Sequence, residues 1–524
     1  MANASDRGGS VYVSPMAVGP TLKELADISI ELNLGLEADD ALLEEYQSIL
    51  NDSVKSMNQL NDLAEPSLPV KYPRTQGYRP RKEDNPHNAW CYRCNIKGTD
   101  GGKLSGKSIA IKDSIAIAGI PMTVGFNGLE GFVPDFDATV VTWVLDEGGT
   151  ILGKSTCEEL CCSANSHTSG TGLVTNPFKP GHCAGGSSSG SAVLVAINEV
   201  DMAIGGDQGG SVRIPCSWCG LVGLKPTYGL VPYTGAVSGE FVFDHLGPMA
   251  KTVKDCALLL EVISGYDNGN DARQPRDLEI QSYSQKVEDI DLASIRIAVL
   301  KEGFDHPVSD PEVDNLIHET ISGFASSTKA HVQEVSIPLH KSSTSFGSVI
   351  GRIGEVDTVL NTAGSGLSHT GYYPSNMMRD VGARLKKNAK DLHPYNKAQL
   401  LHGAFLKKKY CYMYGKAQNL MRQLEWDFDH VLAEYDVVAM PTVPFTAPPM
   451  VKSDASIKEI VRIGSNIGGN LKSGNLTGHP SITINAGTVG GLPVGLLLTG
   501  KKFDELRLLQ IAHAFEKFIN GTTK

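Results

Sequence analysis

Apolar residues recur at helical spacing in two early stretches of the chain. Over 22–32 they follow Thr21 and Glu24, a pair placed to close a capping box, and this predicts a first helix. Leu42, Leu43, Tyr46, Leu50, Val54 and Met57 fall near the 3.6-residue period and predict a second helix over about 38–63. Residues 1–20 show no period and are expected to form a flexible tail. Pro66, Pro69, Pro73, Pro80 and Pro86 make 65–90 an extended connector. Its basic residues (Lys71, Arg74, Arg79, Arg81, Lys82) sit beside acids and serve to solvate it. From residue 91 short β-rich runs alternate with helical ones. Strands are expected over 109–117, from 151, and over 202–205, with helices over 139–148 and 191–198. Such alternation implies an α/β domain around a buried sheet. Residues 300–440 are less regular, with long amphipathic stretches such as 410–435, and suggest a smaller inserted lobe. β-like runs return at 437–441, 481–485 and 493–498. The expected organisation is 1–90 as tail, helical unit and connector, then 91–524 as one α/β domain carrying the lobe.

Charge and cysteine usage narrow the setting. The 524-residue chain has a formal net charge of −11, which disfavours sequence-independent binding to nucleic acid. Residues 1–9 lack the basic and apolar regions of an export signal, and no apolar run approaches the ~18 residues a membrane span needs. Ten cysteines in such a chain are expected to be thiols rather than a disulfide frame. The expectation is a cytoplasmic protein with neither a nucleic-acid nor a membrane partner.

The chemistry-bearing residues lie in three segments. Gly185-Gly186-Ser187-Ser188-Ser189-Gly190-Ser191 is a first glycine/serine cluster. Gly205-Gly206-Asp207-Gln208-Gly209-Gly210-Ser211 is a second, and Lys112 lies upstream in the apolar run Ile109-Ala110-Ile111-Lys112. Cleaving an amide needs a nucleophile, a base and donors for the oxyanion. Ser211 follows two glycines, so the N–H groups of Gln208, Gly209, Gly210 and Ser211 can turn toward one point. A serine hydroxyl needs a base, and neither cluster holds a histidine. On a strand Lys112 faces away from Ile111, and a dry environment there would favour its uncharged amine. Ser187 can then carry a proton between the two. Together these residues suggest an enzyme that breaks amide bonds.

At this point the chain resembles the amidase signature family. The first cluster is similar to that family's GGSSGGS loop, with Ser189 where glycine is usual, and the second to its GGS-[IV]-R-x-P segment. Lys112 and Ser187 lie 75 residues apart, and Ser187 and Ser211 24 apart, as the family's spacing requires. Gly223-Leu224-Lys225-Pro226-Thr227, Asp244-His245-Leu246-Gly247-Pro248-Met249 and Asn475-Leu476-Thr477-Gly478-His479-Pro480 continue the likeness. The resemblance implies a mixed central β-sheet covered by helices on both faces. It also implies Lys112 as base, Ser187 as relay reached through a cis peptide, Ser211 as acyl-forming nucleophile, and no cofactor. The segments at 81–90 and 201–208 resemble the nitrile-hydratase-associated enantioselective amidases. For a member of that group the expectation is an N-terminal helical unit, a homodimer, and small-molecule carboxamides as substrates. Cys162 lies 25 residues before Ser187, where relatives place Met or Phe against the acyl group, so a roomier pocket is expected. Ser188 is a further candidate for the substrate or oxyanion site.

Other readings compete. Gly186-Ser187-Ser188-Ser189-Gly190 also fits G-x-S-x-G, which would make Ser188 the nucleophile with a late His479 or His513. Residues 101–108 match a P-loop formally, but the apolar run after Ser108 has strand character where a phosphate loop needs a helix. Cys91/Cys94 and Cys216/Cys219 are C-x-x-C pairs without zinc-ribbon spacing, so no metal is expected. Lys407-Lys408-Lys409 fits a solvated helix face, and Tyr410, Tyr412 and Tyr414 fit core packing. A carbamate or aryl-acylamide hydrolase, one component of a tRNA amidotransferase, and a non-catalytic binding protein on the same fold remain alternatives.

Overall fold

The computed structural model describes residues 16–452, 454–464 and 467–521. They fall into two compact units, 16–68 and 69–521. Of the expected N-terminal tail, residues 1–15 lie outside the described residues.

The smaller unit begins with the helix Leu22–Leu32. Thr21 caps it from both sides: its Oγ1 accepts the Glu24 N–H at 3.2 Å, and its own N–H donates to the Glu24 carboxylate at 2.7 Å. The helix Asp40–Met57 starts at Asp39, whose carboxylate accepts the Leu42 N–H. It tightens into a 3₁₀ turn over Asn58–Asp62, so the stretch expected as one helix to residue 63 ends in two geometries.

The larger unit is built on eleven strands. They are β1 (Trp90–Lys97), β2 (Ser108–Lys112), β3 (Thr150–Ser155), β4 (Met202–Asp207), β5 (Val222–Lys225), β6 (His245–Ala250), β7 (Arg296–Leu300), β8 (His331–Val335), β9 (Val437–Pro441), β10 (Ser481–Val489) and β11 (Leu492–Gly500). They form one mixed sheet in the order β1-β3-β2-β4-β6-β5-β10-β11-β9-β7-β8. β2 runs parallel to β3 and β4, and β7 parallel to β8 and β9; the remaining pairs are antiparallel.

Every residue of β4, β6 and β11 is buried, as expected where both faces of a sheet are covered. Alternation along β11 shows what covers them. Leu496 and Leu498 join the core that holds Leu508, Leu509 and Phe515 of the helix Glu505–Ile519. Leu497, between them, joins Trp218 of the helix Arg213–Trp218 and Phe428 of the helix Tyr412–Glu434. The fold is therefore α/β, with helices on both faces.

Three sequence expectations change. The run over 109–117 is a strand only to Lys112. Ile115 and Ile117 are fully buried, so their apolarity reflects the core and not the ladder. Within 300–440, β8 belongs to the main sheet. The remainder is mostly helical (Ser343–Gly354, Ser375–Asn388, Pro394–Tyr410, Tyr412–Glu434) rather than irregular. The P-loop match at 101–108 runs through turns into β2 and has no helix to hold a phosphate. Among the described residues, no helix is long and apolar enough to cross a membrane.

Candidate active site

β2 and β4 are parallel neighbours, so their carboxyl ends emerge at one edge. β2 ends at Lys112, and β4 ends at Asp207, leading directly into Gln208–Ser211. Lys112 is fully buried. Its Nζ donates to Ser187 Oγ at 2.7 Å and to the Gly206 carbonyl at 3.3 Å. Ser187 is also fully buried and follows Gly186 through a cis peptide bond. Gly186 is needed for close approach, because a Cβ there would lie 2.9 Å from Glu158 Cγ.

Ser188 has a different role from the one expected. Its Oγ donates to the Gly206 carbonyl at 3.1 Å and accepts the Gly206 N–H at 3.2 Å, while its own N–H donates to the Ser211 carbonyl at 3.2 Å. Ser188 thus staples the two clusters together, fully buried and turned away from any ligand. His479 pairs with Asp429 and Thr477, and His513 with Glu516, so neither histidine serves Ser188. The G-x-S-x-G reading falls with that geometry.

The second loop is shaped by a buried ion pair. Asp207 accepts two bonds from Arg213, each 3.0 Å, one from the Gly210 N–H at 2.7 Å and one from the Val212 N–H at 3.1 Å. Asn475 adds a fifth donor at 2.9 Å. Burial alone would raise the Asp207 carboxyl. The Arg213 guanidinium outweighs it and holds the group well below the usual carboxylate range. This arrangement corrects one expectation: the Gly210 N–H is committed to Asp207 and is not free for an oxyanion. Among the described residues, the N–H groups of Gln208, Gly209 and Ser211 have no acceptor.

Ser211 opens onto a cavity of about 460 Å³, together with Gln208, Gly209 and Cys162. Burial, followed by the Glu355 carboxylate, pushes the Cys162 thiol up. The sequence reading missed most of the other walls: Glu240, Arg352, Glu355, Tyr395 and Lys472. Arg352 and Glu355 form an ion pair at 2.6 Å. Burial, reinforced by Asp244, pushes Glu240 up to about 7. Burial, reinforced by Arg352, pulls Lys472 down to about 8. The cysteine pairs lie elsewhere, each thiol singly bonded: Cys91 to Thr123, Cys94 to the Ile151 carbonyl, Cys216 to the Val222 carbonyl and Cys219 to the Ala184 carbonyl.

Comparison with known proteins decides the family. The family model described as Amidase matches residues 82–509. The chain is a member of the amidase family. Among amidase relatives, the enantioselective amidase of Rhodococcus rhodochrous is 39% identical over 445 residues, covering 83% of this chain and 84% of that protein. The amidase-type component of the glutamyl-tRNA(Gln) amidotransferase of Methanosarcina acetivorans is 34% identical, covering 82% and 88%. The crystal structure of the same amidotransferase component from Thermotoga maritima superposes with a TM-score of 0.69 at 30% identity, covering 83% of this chain and 88% of that one. Amidase-family membership thus covers the whole sheet from β1 to β11.

Proposed function

We propose that this chain hydrolyses small-molecule carboxamides to a carboxylic acid and ammonia or an amine, through an acyl-enzyme on Ser211. The observation that supports it most is the 2.7 Å bond between Lys112 Nζ and Ser187 Oγ, in a fully buried site stapled by Ser188 to the Ser211 backbone. In the proposed path Ser211 Oγ attacks the amide carbon. Its proton passes to Ser187 Oγ as the Ser187 proton passes to the Lys112 amine. The negative charge on the carbonyl oxygen is met by the N–H groups of Gln208, Gly209 and Ser211, each such donor being worth about 10²–10³ in rate. The C–N bond breaks as the relay returns a proton to the leaving nitrogen. Water then attacks the acyl carbon by the same route and frees the acid. The reaction consumes only amide and water.

The R. rhodochrous relative, named an enantioselective amidase, supports a carboxamide substrate over a carbamate or anilide. The proposal also takes the enzyme to be a cytoplasmic homodimer, which light scattering of the purified chain would test. Ser211→Ala should abolish turnover of a panel of primary amides while leaving the fold intact, and a fluorophosphonate should label Ser211; full activity in that variant would end the proposal. The amidotransferase relatives carry the second reading, a component that acts within a complex. Amide hydrolysis by the isolated chain separates the two, since the second reading needs a partner for turnover.

A further inference from the structure

Lys472 stands out among the cavity walls. Among the described residues no carboxylate lies within ion-pair distance of it; Glu355, Asp244 and Asp207 act on it only through space. Its Nζ has two close partners. It donates to the Gln208 carbonyl at 3.1 Å, and it lies 4.4 Å from the centre of the Phe243 ring. A Cβ on residue 209 would lie 3.1 Å from Nζ, so glycine lets the ammonium come close. Leaving a buried ammonium without a carboxylate is costly, so local stability does not account for its place.

The Gln208 carbonyl and the Gly209 N–H belong to one peptide unit. In a trans peptide the two point in opposite directions. A cation bonded to the oxygen therefore fixes the plane of that unit and sends its N–H the other way, where no acceptor meets it among the described residues. It also draws electron density toward the oxygen. Charge-assisted bonds are about twice as strong as neutral ones, and bonds in a chain polarise one another. We propose that Lys472 is a positioning residue of the oxyanion loop: it orients and polarises the Gln208–Gly209 peptide so that the Gly209 N–H becomes a stronger donor to charge forming on the substrate oxygen. This inference rests on the proposed Ser211 mechanism.

The test compares Lys472→Met, Lys472→Gln and Lys472→Arg with the unaltered enzyme, using the best neutral primary amide from a panel and a trifluoromethyl ketone that forms an anionic adduct with a serine. For Lys472→Met, kcat should fall about 10- to 100-fold, the scale of weakening one oxyanion donor. KM should stay within about threefold, and affinity for the ketone should fall by the same factor as kcat. Lys472→Arg, which keeps the cation, should recover part of both, and it carries the test if the methionine variant does not fold. An unchanged kcat, or a loss confined to KM, overturns the inference. So does a loss seen only with carboxylate-bearing amides, since Lys472 would then be binding substrate charge. If the unaltered enzyme shows no fluorophosphonate label on Ser211, the mechanism fails and this inference with it. If Ser211 is labelled and Lys472→Met keeps its kcat, this inference alone fails.

Discussion

Asp207→Asn changes one atom type at the centre of the second loop. The two carboxylate oxygens of Asp207 accept from Gly210, Val212, both arms of Arg213 and Asn475. Asparagine keeps one acceptor and turns an NH₂ group against donors. It also leaves Arg213, fully buried, without its anion. Breaking a buried pair from one side costs about 3–5 kcal/mol. The unsatisfied donors belong to the same network and do not add in full. The expected loss is therefore about 3–5 kcal/mol, a large share of the ~5–15 kcal/mol typical of a folded protein. Urea unfolding followed by fluorescence would read it as a lower midpoint at an unchanged slope. The pH dependence gives a second readout. The folded carboxyl is depressed, so its stabilisation is whole above the unfolded carboxyl range, about pH 4, and drains away as pH falls toward the folded value. The gap between the two proteins should thus narrow in acid. A double variant, Asp207→Leu with Arg213→Met, should lose less than Asp207→Leu alone. A loss below about 1 kcal/mol for Asp207→Asn, or a gap that widens in acid, would refute the view that this pair shapes the loop.

Other changes give distinct outcomes. Lys112→Ala and Ser187→Ala should each lower kcat by at least about 10²-fold with the fold retained by circular dichroism, since each removes one station of the relay. Gly210→Ala places a Cβ 2.7 Å from Leu471 Cδ1 at a φ of +117°, so it should lower stability by about 1–3 kcal/mol in thermal unfolding and reduce kcat as the loop shifts. Glu240 is pushed up to about 7 in the fold. Its contribution is complete below about pH 4 and lost as pH rises through 7, so Glu240→Gln should gain on the unaltered enzyme by as much as about 3 kcal/mol at pH 8 in urea titrations. Cys162→Phe should raise KM for aryl amides more than for acetamide, because Cys162 lines the cavity.

What the sequence revealed follows the range of the interactions involved. Lys112, Ser187 and Ser211 were legible because glycine-rich loops and a lysine in an apolar run are local signatures. β10 and β11 were legible because their apolar runs are long and bounded. Glu240, Arg352, Glu355, Tyr395 and Lys472 were not, although they wall the cavity. They converge from segments far apart, and the amphipathic period of a helix marks its apolar face without showing which rim residue meets a cavity. Gly210 was misjudged for the same reason. Its N–H is captured by Asp207 only because Arg213 and Asn475 hold that carboxylate in place. The strand after Lys112 was overextended because buried isoleucines look alike inside and outside a ladder.

The most direct test of the account is mass spectrometry of the enzyme quenched in acid during turnover of a slow amide. The acyl group should appear as added mass on the peptide containing Ser211, and it should vanish from that peptide in Lys112→Ala. Acyl mass on another residue, or steady turnover in Ser211→Ala, would contradict it.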